Sequence, residues 1–204
     1  MRKVDLKKTL KELYQPSAKN FTMVDVPEMH FIRVDGGGDP GGEVYAKTVG
    51  WLYAVAYAIK LTSKAELGLE YTVPPLEGLW WAEDMMVFAE ADRDSWLWTM
   101  MIMQPECVTP DMFDVGLAKA AKKLGEPLPT LRFEPFIEGL SVQILHIGPY
   151  SAEAPTIARL HQEFLPNNGL VENGHHHEIY LGDPRRTEPE KLKTVLRQPV
   201  KKAH

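Results

Sequence analysis

The sequence has little cysteine, no long apolar run and no excess of positive charge. Each absence removes a class of protein. Cys107 is the one cysteine among 204 residues. A single thiol can neither close a disulfide framework nor build a cysteine zinc site. It lies between Glu106 and Val108 with no neighbouring cation to activate it, which argues against a nucleophile. The longest apolar stretch, WLYAVAYAI, covers nine residues, whereas a bilayer span takes about 20. The opening MRKVDLKKTLKELYQPSAKN is charged throughout and lacks the apolar heart of a secretion signal, so the expected location is the cytoplasm. Lys and Arg number 23 against 28 Asp and Glu. Such a balance repels phosphate backbones, and direct nucleic-acid binding is not expected.

Metal and cofactor signals are also thin. His175, His176 and His177 alternate faces if extended, so at most two could aim together, and no acidic or cysteine cluster accompanies them. His177 precedes Glu178 and is expected to shape its surroundings. GGGDPG at 36–41 fits a dinucleotide glycine pattern in form only. Asp35, Asp39 and Glu43 would repel a pyrophosphate and no parallel strand-helix-strand run follows, so the segment reads as a turn. The expected metal and cofactor content is none.

What is present is a globular composition, 44% hydrophobic and 25% charged, with a generous five tryptophans. Residues 1–20 read as a polar lead-in with a short helix before Pro16. Strands are expected at 29–38, 69–81, 95–105, in SVQILHIGPY, in HHEIYLGDP and in LKTVLRQPV. Helical spacing covers 43–61, with Tyr45, Val49, Leu52, Ala56 and Ile59 on one stripe. Thr109 caps a second helix with Pro110 at its first position, and Gly125 ends it. A third helix is expected over 151–165, stopped by PNNG.

Laid together, the halves repeat weakly. FIRVDGGGDP parallels ILHIGPYSAEAP, LEYTVPPLEG parallels HEIYLGDP, and WLWTMMIMQP parallels LKTVLRQPV. The order in each half is strand, helix, strand, strand. Two copies are too few for a solenoid and fit a pseudo-twofold α+β domain. An antiparallel sheet with helices on one side is expected, with a ligand cleft between the halves. The domain reading is a lead-in at 1–20 and one domain at 21–204. Repeat one covers about 21–105, a linking helix about 109–125, and repeat two about 130–200.

The closing run HEIYLGDPRRTEPEKLKTVLRQPV and the segment IGPYSAEAPTIARLHQEFL resemble the GyrI-like small-molecule-binding proteins. The resemblance spans roughly residues 20–200. It implies the fold of the effector-binding domains of multidrug-responsive regulators. It also implies an aromatic-walled pocket with a buried acidic residue. Stand-alone members include a gyrase inhibitor and hydrolases that open the cyclopropane of DNA-alkylating natural products. No helix-turn-helix is read before the first strand, so direct transcriptional control by this chain is not expected. The implied partner is a bulky, flat, apolar or cationic small molecule; a homodimer and a gyrase-binding role stay open.

Glu178 and Tyr180 stand two apart on one strand, so they share a face. A carboxylate can attract a cation or take a proton from water, and a phenol can donate to a developing oxyanion. From residue types alone an exposed strand face, with Glu178 and Tyr180 in water, is the better reading; the resemblance reverses this and places the pair in the pocket. Tyr71 is a second candidate donor. Glu70, Glu83 and Glu134 stay open as the acidic pocket residue. The rings of Trp51, Tyr53, Tyr71, Trp80, Trp81 and Trp98 are candidate pocket walls, since flat rings stack on flat ligands and attract cations. Trp80 and Trp81 must point to opposite faces. Met100 shares a face with Trp98, while Met85, Met86, Met101 and Met103 read as core filling. His146, between Leu145 and Ile147, is a candidate ligand contact or a satisfied core histidine.

Overall fold

The computed structural model describes residues 2–82 and 92–203. Its strands run as β1 (Arg2–Val4), β2 (Thr22–Val26), β3 (Met29–Gly37), β4 (Leu69–Tyr71), β5 (Leu76–Trp81), β6 (Leu97–Gln104), β7 (Arg132–Phe136), β8 (Gly139–Ile147), β9 (Leu170–Glu172), β10 (His176–Tyr180) and β11 (Lys193–Lys202). The helices are α1 (Leu6–Thr9), α2 (Lys11–Tyr14), α3 (Glu43–Leu67), α4 (Pro110–Leu124), α5 (Ala154–Arg159) and α6 (Leu165–Asn167). The chain is α+β, as its pattern predicts. Glu83, Met85 and Met86 lie outside the described residues.

Two compact units divide the chain, one of Met1–Thr9 with Met29–Phe136, the other of Leu10–Glu28 with Ile137–His204. The first carries antiparallel strands in the order β5-β6-β3-β7 and a parallel β1-β4 pair. The second carries antiparallel strands in the order β2-β8-β11-β10, with β9 also on β11. Each unit holds one strand-helix-strand-strand repeat. Each is completed by a strand from elsewhere: β2 precedes β3 in sequence but pairs with β8, and β7 precedes β8 but pairs with β3.

Sequence spacing locates the helices well and their ends less well. Thr109 caps α4 by accepting from the Met112 N–H at 3.3 Å, with Pro110 in the first turn. Helix α3 continues past the expected end at 61 to Leu67. TSKAEL contains no breaker, and the first left-handed position is Gly68 at φ +62. The helix expected over 151–165 instead starts at Ala154 and widens into a π turn, Leu160–Phe164, before α6. Pro166 cannot donate a backbone hydrogen bond to the preceding turn. That segment lies over Val142 and Val200 through Leu160 and Leu165.

The first unit is filled by rings. Gly36, Trp98 and Trp80 stand side by side across β3, β6 and β5, and Val34, Met100 and Gly78 form the next row. A Cβ on Gly36 would lie 2.2 Å from the Trp98 ring, so glycine there makes room for the indole. Tyr45 of α3 packs edge-on to Trp98 at 5.5 Å and flat on Trp80 at 6.1 Å. Helices α3 and α4 meet closely at Gly116, where a Cβ would come within 2.8 Å of Ile59.

The second unit buries an ion cluster. Arg197 on β11 reaches Glu138 at 3.0 Å, and His177 Nδ1 lies 2.8 Å from the same carboxylate. These side chains are only 1–2 % exposed. Arg197 also donates to Gln143 at 3.0 Å and to the Leu13 carbonyl at 2.7 Å, and Gln143 donates to the Glu12 carbonyl. The segment before Pro16 is thereby tied to the sheet, with Leu13 and Tyr14 buried. Burial opposes the Glu138 charge, but His177 and Arg197 hold its pKa down at about 2.

A depressed carboxylate stabilises the fold above its unfolded pKa, near 4.5, and that contribution is lost as pH falls toward about 2. Removing one partner leaves a buried charge uncompensated. Glu138→Gln is therefore expected to lower stability by about 3–5 kcal/mol at neutral pH. Urea unfolding at pH 7 and pH 3 checks it: the gap between wild type and variant should shrink in acid.

Candidate functional site

The two-residue period of β10 puts His176, Glu178 and Tyr180 on one face and His177 and Ile179 on the other. His177 therefore belongs to the ion cluster with Glu138 and not to the Glu178 face; the residue beside Glu178 is His176. Register then adds neighbours on the same face. Tyr180 pairs with Thr194 on β11, and Thr194 pairs with His146 on β8. Glu178 pairs with Leu196, and Leu196 with Ile144.

These rows correspond to those of the first unit. His146, Thr194 and Tyr180 occupy the places of Gly36, Trp98 and Trp80, and Glu178 the place of Gly78. Gly38 and Gly148, both at positive φ, end the matching strands. In register β10 is thus the counterpart of β5, and not of the LEY strand that the sequence comparison set against it. β4 pairs instead with β1.

Glu178 is gripped by its own strand. The Tyr180 hydroxyl donates to Glu178 Oε2 at 2.9 Å, and His176 Nε2 lies 3.3 Å from Oε1. The Tyr150 ring stands edge-on to Tyr180 at 5.6 Å. His146 Nε2 is 3.2 Å from the Pro149 carbonyl, in the turn that precedes α5.

That turn delivers a residue that sequence reasoning missed. Glu153, immediately before α5, is 4 % exposed. Its carboxyl faces the Thr194 hydroxyl and the Glu178 charge. Burial, and then the nearby Glu178 charge, push its pKa up to about 8, while Thr194 pulls it partly back. Glu153 Oε1 and His176 Nδ1 are buried without a hydrogen-bond partner. Buried polar atoms are nearly always satisfied, so this cluster is fitted to meet something polar. The signal for Glu153 was its place in IGPYSAEAP, a carboxylate at a strand-to-helix turn, but sequence does not say that the turn folds over β10.

The remaining candidates are distributed elsewhere. Trp80, Trp98 and Met100 share one face of the first unit; Trp98 and Met100 are fully enclosed. Trp81 points to the other face, as alternation requires. Trp51 is buried in α3, and Tyr53 lies 6.2 Å from Tyr57 on the same helix. Tyr71 is buried with its hydroxyl 3.5 Å from Gln104, and burial raises its pKa. Of the other carboxylates left open, Glu134 pairs with Arg33 and Arg132 at 2.8 and 3.0 Å, and Glu70 with Lys64 at 3.5 Å. Among the described residues no group of His, Cys, Asp and Glu could hold a metal ion, and no helix is long and apolar enough to cross a membrane.

A family model described as GyrI-like small molecule binding domain matches residues 19–201. An uncharacterized conserved protein from Listeria innocua is 45% identical with a TM-score of 0.88, over 97% of this chain and 100% of that one. A hydrolase from the same organism is 43% identical with a TM-score of 0.85, over 98% and 100%. The EcmrR C-terminal domain shares the fold at 13% identity, with a TM-score of 0.58 over 90% and 98%. No curated protein matches the chain.

The raised Glu153 pKa has a consequence for stability. The folded chain keeps a proton that the unfolded chain releases near pH 4.5, so stability falls as pH rises from there toward about 8. Glu153→Gln carries no such proton. Its stability relative to wild type is expected to grow with pH across that window, on the order of 1 kcal/mol per pH unit. Thermal melts at pH 5 and pH 8 measure the difference.

Proposed function

The chain belongs to the GyrI-like small-molecule-binding family, and we propose that its second unit binds a bulky, planar, electrophilic small molecule and hydrolyses it. The observation that carries this reading is Glu178, held by the Tyr180 hydroxyl at 2.9 Å amid buried polar atoms that lack partners. A carboxylate fixed in this way can orient and deprotonate a water. The hydrolase name of a Listeria relative 43% identical over nearly the whole chain supports the reaction class.

A cyclopropane fused to a dienone is a fitting electrophile. The water oxygen bonds to the ring methylene and gives its proton to Glu178. The strained carbon–carbon bond breaks, and its electron pair passes through the ring to the carbonyl oxygen, which becomes a phenolate. The Tyr180 hydroxyl is given to Glu178, so Tyr180 positions the base. Tyr150, 39 % exposed, offers its ring as a wall for a flat substrate. By the chemistry, the role is protective: the product no longer alkylates.

Incubation with a cyclopropane-bearing DNA alkylator, followed by mass spectrometry of the small molecule, tests the reading. A gain of one water is expected, lowered by about 100-fold or more in Glu178→Gln. An unchanged compound that still quenches tryptophan fluorescence would make the chain a non-catalytic binding module. Full turnover by a folded Glu178→Gln would overturn the assignment of the base.

A further inference from the structure

Ring opening by water needs two proton transfers, and Glu178 accounts for one. The phenolate oxygen must gain a proton as the water loses one. The Tyr180 hydroxyl already donates to Glu178 at 2.9 Å, and Thr194 is too weak an acid to give up a proton outright. His176 lies against Glu178 Oε1 at 3.3 Å, on the side of the base. The second carboxyl is different. Glu153 comes from another element, the turn before α5, and is 4 % exposed. Its Oε1 is unpartnered, and it faces Thr194, the cross-strand neighbour of Tyr180.

We propose, resting on the hydrolytic reading above, that Glu153 is the proton donor of the site and forms with Glu178 a carboxyl pair that holds one proton. Water gives its proton to Glu178 as its oxygen bonds to the methylene. The ring bond breaks, and the carbonyl oxygen takes the proton of Glu153. Product then leaves Glu178 protonated and Glu153 ionised. The single proton returns to Glu153 through Tyr180, which bonds Glu178, and Thr194, which faces Glu153. No oxidant or metal is needed, and the sum is substrate plus water.

Two facing carboxylates, one buried and the other largely so, cannot both ionise cheaply, so one retains a proton. Burial favours Glu153 as its holder. The groups that act on Glu153 are the Glu178 charge of β10 and the Thr194 hydroxyl of β11. Neither is a cation, and the Glu178 charge favours a proton on Glu153. Glu153→Gln keeps the shape and the neutral charge of the protonated acid and is expected to fold.

The test is the pH profile of turnover of a spirocyclopropyl cyclohexadienone by the intact chain, wild type and variants. Wild-type kcat should fall with rising pH as Glu153 ionises. Glu153→Gln should lose about 100-fold in kcat and lose that alkaline limb, with KM little changed. Thr194→Val should slow turnover without removing the limb. A Glu153→Gln variant with wild-type kcat and an unchanged alkaline limb, alongside an inactive Glu178→Gln, would overturn the donor role and leave hydrolysis standing. A wild type that returns the dienone unchanged would overturn both.

Discussion

The buried pair of Arg197 with Glu138 sets the register on which the second unit depends. Arg197 stands on β11, which lies between β8 and β10. A strand shifted by one residue would turn this guanidinium away from Glu138, Gln143 and the Leu13 carbonyl and leave charges buried alone. Holding Arg197 on one face therefore holds Thr194 and Leu196 on the other. Through the ladder it also fixes Glu178 and Tyr180 beside them. The polar face of β10 and β11 is aligned by electrostatics on the opposite face.

The two units show how one frame accommodates two uses. In the first, the rows across β3, β6 and β5 pair tryptophans with glycines. The glycines at 36 and 78 are spaces for indole rings and a methionine sulfur. That arrangement is dense, apolar and suited to a core. In the second, the corresponding places hold an imidazole, a hydroxyl, a phenol and a carboxylate. Polar groups at core positions cost stability unless something repays them, and Glu153 Oε1 and His176 Nδ1 here have no partner. Proteins break their packing rules at functional sites, and the break falls in the second unit.

Residue pattern alone determined the class of this protein. Period-2 and period-3.6 spacing placed most strands and helices. Thr109-Pro110 and Gly125 marked one helix to the residue, and the order strand, helix, strand, strand exposed the repeat. Alternation on β10 put Glu178 and Tyr180 on one face and split Trp80 from Trp81. The closing motif carried the family, which the match over residues 19–201 confirms. These are local properties, written within one turn or one strand.

Tertiary structure decided what meets what. The exchange of β2 and β7 between repeats joins segments about 100 residues or more apart in sequence, and no local pattern encodes it. Alternation already sets His176 on the face of Glu178, but sequence could not tell that His177, on the opposite face, meets Glu138. Nor could it find Glu153, whose burial and altered acidity arise only when a turn near 150 closes over strands near 178 and 194. Side-chain periodicity is set by the backbone, but desolvation and charge pairing are set by distance in space.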